Sequence, residues 1–450
     1  MQGLAARDSS EGVPSPRPIS SGLREHEALT IDPQILQNQD IICFSSIDWD
    51  FIWQMPQEIA SRLADNGNRV LFVDNTGVRT PNVRDASRMW MRLQNWKSGR
   101  YGIRHVRTNI DVYSPLVLPF PYSPLVRPLN AYLMRRTIRR WARMAGFTNP
   151  IVLTFLPTGL TLDTARAVDY RLLVYYCLDN FAASSTGARG IVETEAELVR
   201  EADLVLATSQ ELKERLQRLR PDVYRYPSGV SLEPFVSARD HRGEDPLDCP
   251  RPRVGYIGGL HRWIDWPLLE ETVAASPEWS FVFVGPAQCD EVERISSYPN
   301  VFLVDTQPHD RLPRYIDAFD VCLIPYQVNA YTENVYPVKM NEYLAMGKPV
   351  VSTPLREVKG FNDDHGPLVA LADTAESFRE AIAAELAGDD GAKVQDRYRA
   401  AEANSYVSRL REISALIENR IGERTSRPGL DRVDASSSAA GVQSSRREAL

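Results

Sequence analysis

The sequence predicts an α/β protein made of two Rossmann-like domains, with parallel sheets that face each other across a cleft. Apolar strand patterns alternate with amphipathic helix patterns along the chain, which is typical of parallel sheets. The same strand, helix and strand opening occurs twice, and a polar segment without hydrophobic periodicity separates the two series. The 450 residues, 43% of them hydrophobic, are enough for two or three domains with sizeable cores.

The first domain is predicted over residues 36–232. Its predicted strands are rich in apolar residues and are, in chain order, DIICFSS, RVLFVDN, IVLTFL, LLVYYCLD and DLVLATS. The helical patterns between them include MPQEIASRLADNG, TEAELVREA and QELKERLQRL. Each of these helical segments carries apolar residues at a spacing of three and four, so one face packs on the sheet.

The second domain is predicted over residues 253–390, after a linker at 233–252. Its predicted strands are RVGYIGGL, SFVFVGP, VFLVD, DVCLIP and PVVST, and its helical patterns include WPLLEETVAAS and LPRYIDAF. A long helical pattern from about Val394 to Ile421 follows. We expect this C-terminal segment, residues 391–422, to pack back toward the first domain.

The two ends of the chain and its cysteine pattern indicate the cellular compartment of the protein. Residues 1–35 and 423–450 are rich in Ser, Pro, Gly and charged residues, so disordered tails are predicted. No apolar run is long enough to span a membrane, and no hydrophobic signal segment follows the N-terminus. The five cysteines include no Cys-x-x-Cys, which disfavours structural zinc and a disulfide framework. These features predict a cytoplasmic protein.

The net charge of −7 conceals a basic segment between Arg79 and Arg143. This segment holds fourteen Lys or Arg against Asp85 and Asp111, and therefore carries +12. Five arginines are predicted along one helical face, namely Arg135, Arg136, Arg139, Arg140 and Arg143. The opposite face is predicted to hold Leu129, Tyr132, Leu133, Ile138 and Trp141. A proline-rich apolar loop, VYSPLVLPFPYSPLV, precedes this helix.

A basic face beside an apolar loop predicts peripheral contact with an anionic membrane, at its inner face. The alternative is an ordinary solvated helix face. No nucleic-acid-binding motif accompanies the charge, so nucleic acid is not an expected partner.

The segment YPVKMNEYLAMGKPVVST, from Tyr336, predicts a short helix followed by a buried strand. Pro337 suits the first helical position and Gly347 the left-handed residue after the helix. Lys339 and Glu342 are spaced i, i+3 and project from the same side. We therefore expect the helix start and Lys339 to bind a nucleotide diphosphate, while Glu342 holds its ribose. The alternative is an exposed ion pair on an ordinary helix.

Two other strand ends are predicted to meet this helix at the cleft, because ligands of open parallel sheets bind at the carboxyl ends of the strands. Gly258 and Gly259 follow the first strand of the second domain and allow the backbone to approach a phosphate, although a glycine pair is also common in tight turns. Asp48 and Asp50 follow the first strand of the first domain.

These stretches resemble glycosyltransferases of the GT-B fold, specifically the retaining family 4 type and the branch that includes teichuronic-acid and exopolysaccharide glycosyltransferases. The resemblance covers about residues 40–385. It is carried by LPRYIDAFDVCLIPYQVNAYTENVYPVKMNEYLAMGKPVVST, SSIDWDFIWQMPQEIASRLADNGNRVLFVD and SGVSLEPF.

The resemblance implies sugar transfer from a nucleotide-diphosphate sugar to a glycan or lipid-linked hydroxyl, without a metal or other cofactor. Lys339 and Arg262 would stabilise the departing diphosphate, and Asp48 or Asp50 would orient the acceptor. The donor-binding residues implied are Gly258, Gly259, Asn334, Tyr336, Pro337, Val338, Lys339 and Glu342.

The chain departs from the family pattern at several positions. Asn334 stands where the family has the first of two glutamates, and Gly259 and Asp265 stand near its usual Arg and Lys. In SGVSLEPF, Ser228 and Ser231 replace the family's Asn and Asp. Two alternatives therefore stay open, a non-catalytic GT-B scaffold and a sugar-nucleotide epimerase.

Two further residue patterns have competing interpretations. Asp48-Trp49-Asp50 matches the Asp-x-Asp by which a different glycosyltransferase fold holds a metal, but it lies in the half expected to bind acceptor. His261 and His309 are on predicted loops near the cleft, where we expect surface residues rather than catalysts.

Overall fold

The computed structural model describes residues 31–51, 53–77, 102–118, 125–181, 189–240, 245–388 and 391–425. Most of both predicted disordered tails lies outside these residues, as do the six basic residues of the basic segment between 79 and 100. Within the predicted N-terminal tail, however, Ile35 is buried in the first domain. It is held there because the Asn66 amide donates to the carbonyls of Asp32, Ile35 and Leu36.

The first domain contains an eight-stranded sheet in the order β3-β4-β2-β1-β5-β6-β7-β8. Its strands are β1 (Asp40–Phe44), β2 (Arg69–Val73), β3 (Ile103–Arg107), β4 (Ile110–Tyr113), β5 (Ile151–Thr154), β6 (Leu172–Cys177), β7 (Leu204–Ala207) and β8 (Val223–Arg225). Its helices are α1 (Met55–Asp65), α2 (Val126–Ala145), α3 (Gly159–Arg166), α4 (Arg189–Glu201) and α5 (Gln210–Gln217). Only the pairing of β3 with β4 is antiparallel among the described strands.

The second domain contains a six-stranded parallel sheet in the order β11-β10-β9-β12-β13-β14. Its strands are β9 (Arg253–Ile257), β10 (Ser280–Val284), β11 (Val301–Val304), β12 (Val321–Ile324), β13 (Val350–Ser352) and β14 (Val369–Leu371). A helix between the domains is α6 (Glu233–Asp240), and the helices that follow are α7 (Trp266–Ala274), α8 (Glu291–Ile295), α9 (Leu312–Ala318), α10 (Lys339–Ala345), α11 (Arg356–His365), α12 (Ala375–Ala387), α13 (Gly391–Ala403) and α14 (Tyr406–Thr425).

The α/β prediction with two Rossmann-like sheets is confirmed. Every apolar segment that predicts a strand forms one, and most of these strands are buried on both faces, whereas the edge strand β11 leaves Leu303 46% exposed. In the second sheet the strand order reverses between β9 and β12, and in the first it reverses between β1 and β5. The carboxyl ends of these strand pairs are where such sheets bind ligands.

The carboxyl edges of the two sheets face each other and are in contact. Glu357, at the start of α11 after β13, accepts from the backbone N–H of Gln210 at 2.5 Å and from Arg225 at 3.2 Å. Arg356 forms salt bridges with Glu211 and Glu214 of α5 at 2.8 and 2.5 Å. These bonds join elements of different domains and close one end of the cleft.

The chain crosses between the domains twice, and the two crossings pair. The Val230 N–H donates to the Asn404 carbonyl, and the Val230 carbonyl accepts from the Tyr406 N–H, both at 3.1 Å. A Cβ on Gly229 would lie 2.7 Å from the Tyr406 nitrogen, so only glycine permits this approach. In the same stretch, Ser231 donates to Glu58 of α1 at 2.7 Å.

Two predictions about the segments outside the sheets hold only in part. The predicted linker at 233–252 contains α6, which forms because Phe235 is fully buried and Glu233 pairs with Arg62 at 2.9 Å. The predicted C-terminal segment, residues 391–422, is helical, but the second crossing divides it into α13 and α14. Only α14 packs on the first domain, whereas α13 packs on α10 of the second.

The predicted apolar face of α2 is also partly wrong. Ile138 and Trp141 are buried, as expected, together with Ala131 and Met134, which complete a stripe spaced by three and four residues. Leu129, Tyr132 and Leu133 fall outside this stripe and are 45%, 45% and 43% exposed. They share the exposed surface of the helix with Arg135, Arg136, Arg139, Arg140 and Arg143.

Candidate functional site

The helix that carries Lys339 begins later than predicted. It is the seven-residue helix α10, and Pro337 precedes it because the first turn is of the tighter kind, with Met340 N–H bonded to the Pro337 carbonyl. Pro337 and Tyr336 are buried, and the Tyr336 hydroxyl is bonded to Asn341 at 3.1 Å, whereas Val338 is 36% exposed. The positive charge at this site therefore comes from the Lys339 side chain rather than from a long helix.

Lys339 lies at the carboxyl ends of β9 and β12, where the strand order reverses. Its ammonium nitrogen is 3.8 Å from the ring centroid of Tyr256 and 5.1 Å from that of Tyr326. A Cβ on Gly258 would be 3.0 Å from the same nitrogen. Among the described residues no salt bridge joins Lys339 to Glu342, which removes the interpretation of the pair as an exposed ion pair.

The turn after β9 exposes backbone because its glycines exclude side chains. Gly258 has φ +113°, and a Cβ on neighbouring Gly285 would lie 2.2 Å from the Gly258 carbonyl oxygen. A Cβ on Gly259 would lie 2.8 Å from the His261 Nε2 and 2.9 Å from Gln288. The turn therefore places backbone without side chains beside the Lys339 ammonium.

Glu342 is held by His309 rather than by a cation on its own helix. The His309 Nε2 lies 3.3 Å from a Glu342 carboxylate oxygen. The hydrogen bond to Glu342 and the Glu342 charge raise the pKa of His309 against the opposing effect of its burial. The prediction that His309 is a surface residue holds, since its side chain is 59% exposed, but nothing in the sequence indicated its contact with the predicted ribose-binding carboxylate.

Asn334 is part of the loop between β12 and α10. Its side-chain nitrogen donates to the Ala330 carbonyl at 2.7 Å, and its Oδ1 is buried without a hydrogen-bond partner in the part of the chain that is described. A buried unpaired acceptor is costly, so this oxygen is suited to a ligand hydroxyl.

A row of aromatic rings runs along the same edge of the second domain. The ring centroids of His261 and Trp263 are 3.6 Å apart, and those of Trp263 and Tyr331 are 5.8 Å apart. Gln327 fixes the row, because its N–H bonds the Trp263 carbonyl and its side chain bonds the carbonyls of Arg262 and Ile264. Arg262 is exposed, and its charge acts on Tyr331.

The first domain contributes Asp179, which follows β6 and interacts electrostatically with Tyr331. Burial of the phenol and then the charge of Asp179 raise the pKa of Tyr331, so the carboxylate lies near that ring. One Asp179 oxygen accepts from the Asn180 N–H at 2.7 Å, and burial raises the pKa of the carboxyl itself.

Asp48 and Asp50 lie at the carboxyl edge of the first sheet, beside a third aspartate that sequence reasoning missed. Asp50 pairs with Arg104 at 2.5 Å. Asp74, directly after β2, accepts from Trp49 N–H at 2.8 Å and from the Ser114 hydroxyl at 2.5 Å. Across the described residues no group of three His, Cys, Asp or Glu is arranged to hold a metal ion.

The buried position of Asp74 gives it an unusual titration. Burial, followed by the nearby charge of Asp48, raises the pKa of Asp74 to about 7. The folded protein therefore binds a proton between about pH 4 and 7 that the unfolded chain has released, so this group makes folding less favourable as pH rises through that range.

We expect Asp74→Asn to stabilise the protein at pH 8, by about 1–2 kcal/mol, while leaving stability at pH 4 nearly unchanged. Asn keeps both bonds, because its oxygen accepts from Trp49 and its nitrogen donates to Ser114. Urea unfolding at both pH values measures this, with the exposed Asp373→Asn as control. An equal loss of stability at both pH values would contradict the assigned titration.

The structure brings together the predicted donor residues Gly258, Gly259, Asn334, Lys339 and Glu342 at one edge, with Asp48 and Asp50 on the facing domain. Reasoning from sequence missed four contributors. Asp74 and Asp179 directly follow buried strands, a signal already used for Asp48, whereas nothing in the sequence marked Trp263 and Tyr331.

Comparison with known proteins agrees with this geometry. Residues 251–387, the second domain, match the family described as Glycosyl transferases group 1. A curated relative, the putative teichuronic acid biosynthesis glycosyltransferase TuaH of Bacillus subtilis, is 27% identical over 200 residues, which cover 41% of this chain and 50% of TuaH. The chain thus spans about half the length of the curated relative that it matches.

Solved structures show the same architecture over most of the chain. Sucrose-phosphate synthase of Thermosynechococcus elongatus matches with a TM-score of 0.59 at 16% identity, over 86% of this chain and 100% of its own. Anabaena HepE in complex with UDP and glucose matches with a TM-score of 0.55 at 14% identity, over 85% of this chain and 100% of its own. The fold is therefore GT-B, and the similarity to the Glycosyl transferases group 1 family is confined to the second domain.

Proposed function

We propose that this chain, a GT-B protein with a glycosyl transferase group 1 domain, transfers a sugar from a nucleotide-diphosphate sugar to a hydroxyl group of a glycan or lipid-linked glycan. The observation that carries the proposal is the position of Lys339 beside the Gly258 backbone at the strand-order reversal of that domain. The complexes of HepE with UDP and UDP-glucose support a nucleotide sugar as the donor.

In this proposal the diphosphate lies against the Gly258-Gly259 turn. Bare peptide allows its oxygens to approach, and the Lys339 ammonium moves from the Tyr256 ring to the phosphate. Glu342, oriented by His309, accepts hydrogen bonds from the ribose hydroxyls. The unpaired Asn334 oxygen accepts from a hydroxyl of the donor sugar.

The protein's chemical task is to stabilise the leaving diphosphate. The bond from the sugar's anomeric carbon to the phosphate oxygen breaks while the acceptor oxygen forms a new bond to that carbon, and the acceptor proton passes to the departing phosphate. We assign attack to the face that the nucleotide leaves, with retention of configuration, since a cation and backbone N–H groups suffice for that step. Arg262, exposed at the cleft, adds charge to the same region.

Asp48 and Asp50 are assigned to the acceptor, since they lie at the carboxyl edge of the first sheet. Asp50 is already fixed by Arg104, which suits a carboxylate that positions a hydroxyl rather than one that binds a metal. No metal or other cofactor has a role in this mechanism.

The experiment that tests the proposal is a panel of nucleotide sugars, incubated with the protein and read by mass spectrometry. Extracted lipid-linked glycans serve as acceptors. Transfer of the sugar to an acceptor, or slow hydrolysis of the donor that releases a nucleoside diphosphate, supports the proposal. Epimerisation without an acceptor would identify an epimerase instead. Binding of a nucleotide sugar without any turnover would identify a non-catalytic scaffold. The scaffold is the second candidate function, because Asn334 stands where the family has a glutamate.

The similarity to TuaH supports a role in polysaccharide biosynthesis. We propose in addition that the acceptor is carried on a membrane lipid. The exposed surface of α2 supports peripheral membrane contact, because Leu125 is 85% exposed and three further apolar side chains lie beside five exposed arginines. Among the described residues no helix is both long and apolar enough to cross a membrane. We propose that α2 places the first domain on the anionic inner face of the membrane.

We expect the protein to sediment with liposomes that contain acidic lipid at low salt, and to be released at high salt. Each arginine at the surface contributes about 1 kcal/mol to such binding, and the charge is screened within about 10 Å at 0.1 M salt. Changing Arg135, Arg136, Arg139 and Arg140 together to Gln should abolish sedimentation. Wild-type protein that stays in the supernatant at low salt would show that α2 is a solvated surface.

A further inference from the structure

The aromatic row is the most distinctive surface of the cleft that the donor mechanism leaves unused. Tyr331 is 50% exposed, although it belongs to a loop that is otherwise firmly held. The Thr332 hydroxyl donates to the Gln327 carbonyl at 2.5 Å, and the Asn329 side chain accepts from the N–H groups of Tyr331 and Thr332. The ring is therefore presented to the cleft by a rigid support.

Trp263 extends the surface of Tyr331. Their planes are inclined by 35° and their centroids are 5.8 Å apart, so the two rings form one continuous aromatic surface. His261 covers Trp263 from the side of the Gly259 turn. The row thus begins beside the diphosphate site and ends at the facing domain.

We propose that Tyr331 and Trp263 form a stacking platform for a pyranose ring of the acceptor, with Asp179 of the first domain accepting a hydrogen bond from one of its hydroxyls. The C–H face of a pyranose is apolar and its hydroxyls project outward, so it fits an aromatic face with a carboxylate nearby. This inference rests on the proposed function and deepens it, since it assigns a sugar residue to the acceptor.

The position of the platform favours the acceptor over the donor sugar. The donor sugar is bonded directly to the diphosphate, which is assigned to Lys339 and the Gly258 turn at one end of the row. Tyr331 is at the other end and directly precedes the turn Thr332–Asn334, which packs on α5 of the domain assigned to the acceptor, and its ring is within electrostatic range of Asp179. An enzyme with this subsite extends an existing glycan rather than adding the first sugar to a lipid phosphate.

The test is saturation-transfer NMR on the full chain with a mixture of methyl glycosides of glucose, galactose, N-acetylglucosamine and glucuronic acid. We expect transfer to the ring C–H protons of at least one glycoside with wild-type protein. Tyr331→Ala should weaken this binding by roughly 3- to 10-fold, whereas Tyr331→Phe, which keeps the ring, should retain it. Val328→Ala is the matched control, because Val328 is equally exposed on the same loop.

Asp179→Asn provides an independent arm, because it removes the charge but keeps the size of the side chain. It should weaken glycoside binding while UDP binding, measured by calorimetry, stays as in wild type. No transfer to any glycoside with wild-type protein would overturn the platform, and so would a Tyr331→Ala variant that loses affinity for UDP-sugars but not for glycosides.

The outcomes separate this inference from the proposed function. If wild-type protein binds UDP but no glycoside, the proposed donor site stands and the stacking platform is refuted. If the protein binds a glycoside through Tyr331 but binds no nucleotide, the stacking platform stands and the proposed glycosyltransferase function is refuted.

Discussion

Lys339→Ala is expected to lower kcat by about 100-fold, the largest effect of any single substitution in the donor site. The Lys339 ammonium is the cation beside the Gly258 backbone, and it would neutralise charge that develops on the leaving diphosphate. Removing one such preorganised group costs roughly 3 kcal/mol of transition-state stabilisation. Steady-state kinetics with the donor found in the panel would measure it.

The effect should fall on turnover more than on binding of the nucleoside diphosphate, because the charge acts mainly in the transition state. Lys359→Ala is the matched control, since Lys359 is exposed on α11 away from the cleft. Circular dichroism would verify the fold, because Lys339 also lies over two tyrosine rings. Normal turnover in folded Lys339→Ala would contradict the donor site.

Glu342→Gln is expected to weaken binding of the nucleotide by roughly 1.5–3 kcal/mol, which corresponds to a Kd about 10- to 100-fold higher. The carboxylate accepts two hydroxyls, whereas an amide offers one acceptor oxygen and loses the charge. Calorimetry with the cognate nucleoside diphosphate measures the change.

The exposed Glu380→Gln on α12 serves as the control for Glu342. An additional check uses the deoxyribose form of the nucleotide, which lacks a hydroxyl for Glu342. Wild type should discriminate against it, and Glu342→Gln should do so much less. Equal affinity of wild type and Glu342→Gln for the ribonucleotide would contradict the assignment of Glu342 to the ribose.

The sheets could be predicted from sequence because their strands are short apolar runs, each ended by a turn or a helix pattern. The segments of the second domain from RVGYIGGL to PVVST form strands β9 to β13, in the order that a Rossmann-like sheet requires. The buried faces of the helices were harder to predict from sequence. On α2 the buried stripe includes Ala131 and Met134, so Leu129 and Leu133, although apolar, are left on the surface.

The candidate site could be predicted only where it is encoded within one segment. Lys339, Glu342 and the glycine turn belong to short motifs, so their places could be inferred from spacing. The partners of these residues come from elsewhere in the chain: His309 contacts Glu342, and the charge of Asp179 in the first domain acts on Tyr331 in the second. Such pairings depend on how the domains pack, which no periodicity in a single segment reports.

The most direct test of the central claim is a crystal structure of the protein with its cognate nucleoside diphosphate. We expect the β-phosphate to lie within hydrogen-bond distance of the Lys339 ammonium and of backbone N–H groups in the Gly258-Gly259 turn. We also expect ribose hydroxyls on the Glu342 carboxylate. A nucleotide bound elsewhere, with Lys339 still resting on the Tyr256 ring, would contradict the central claim.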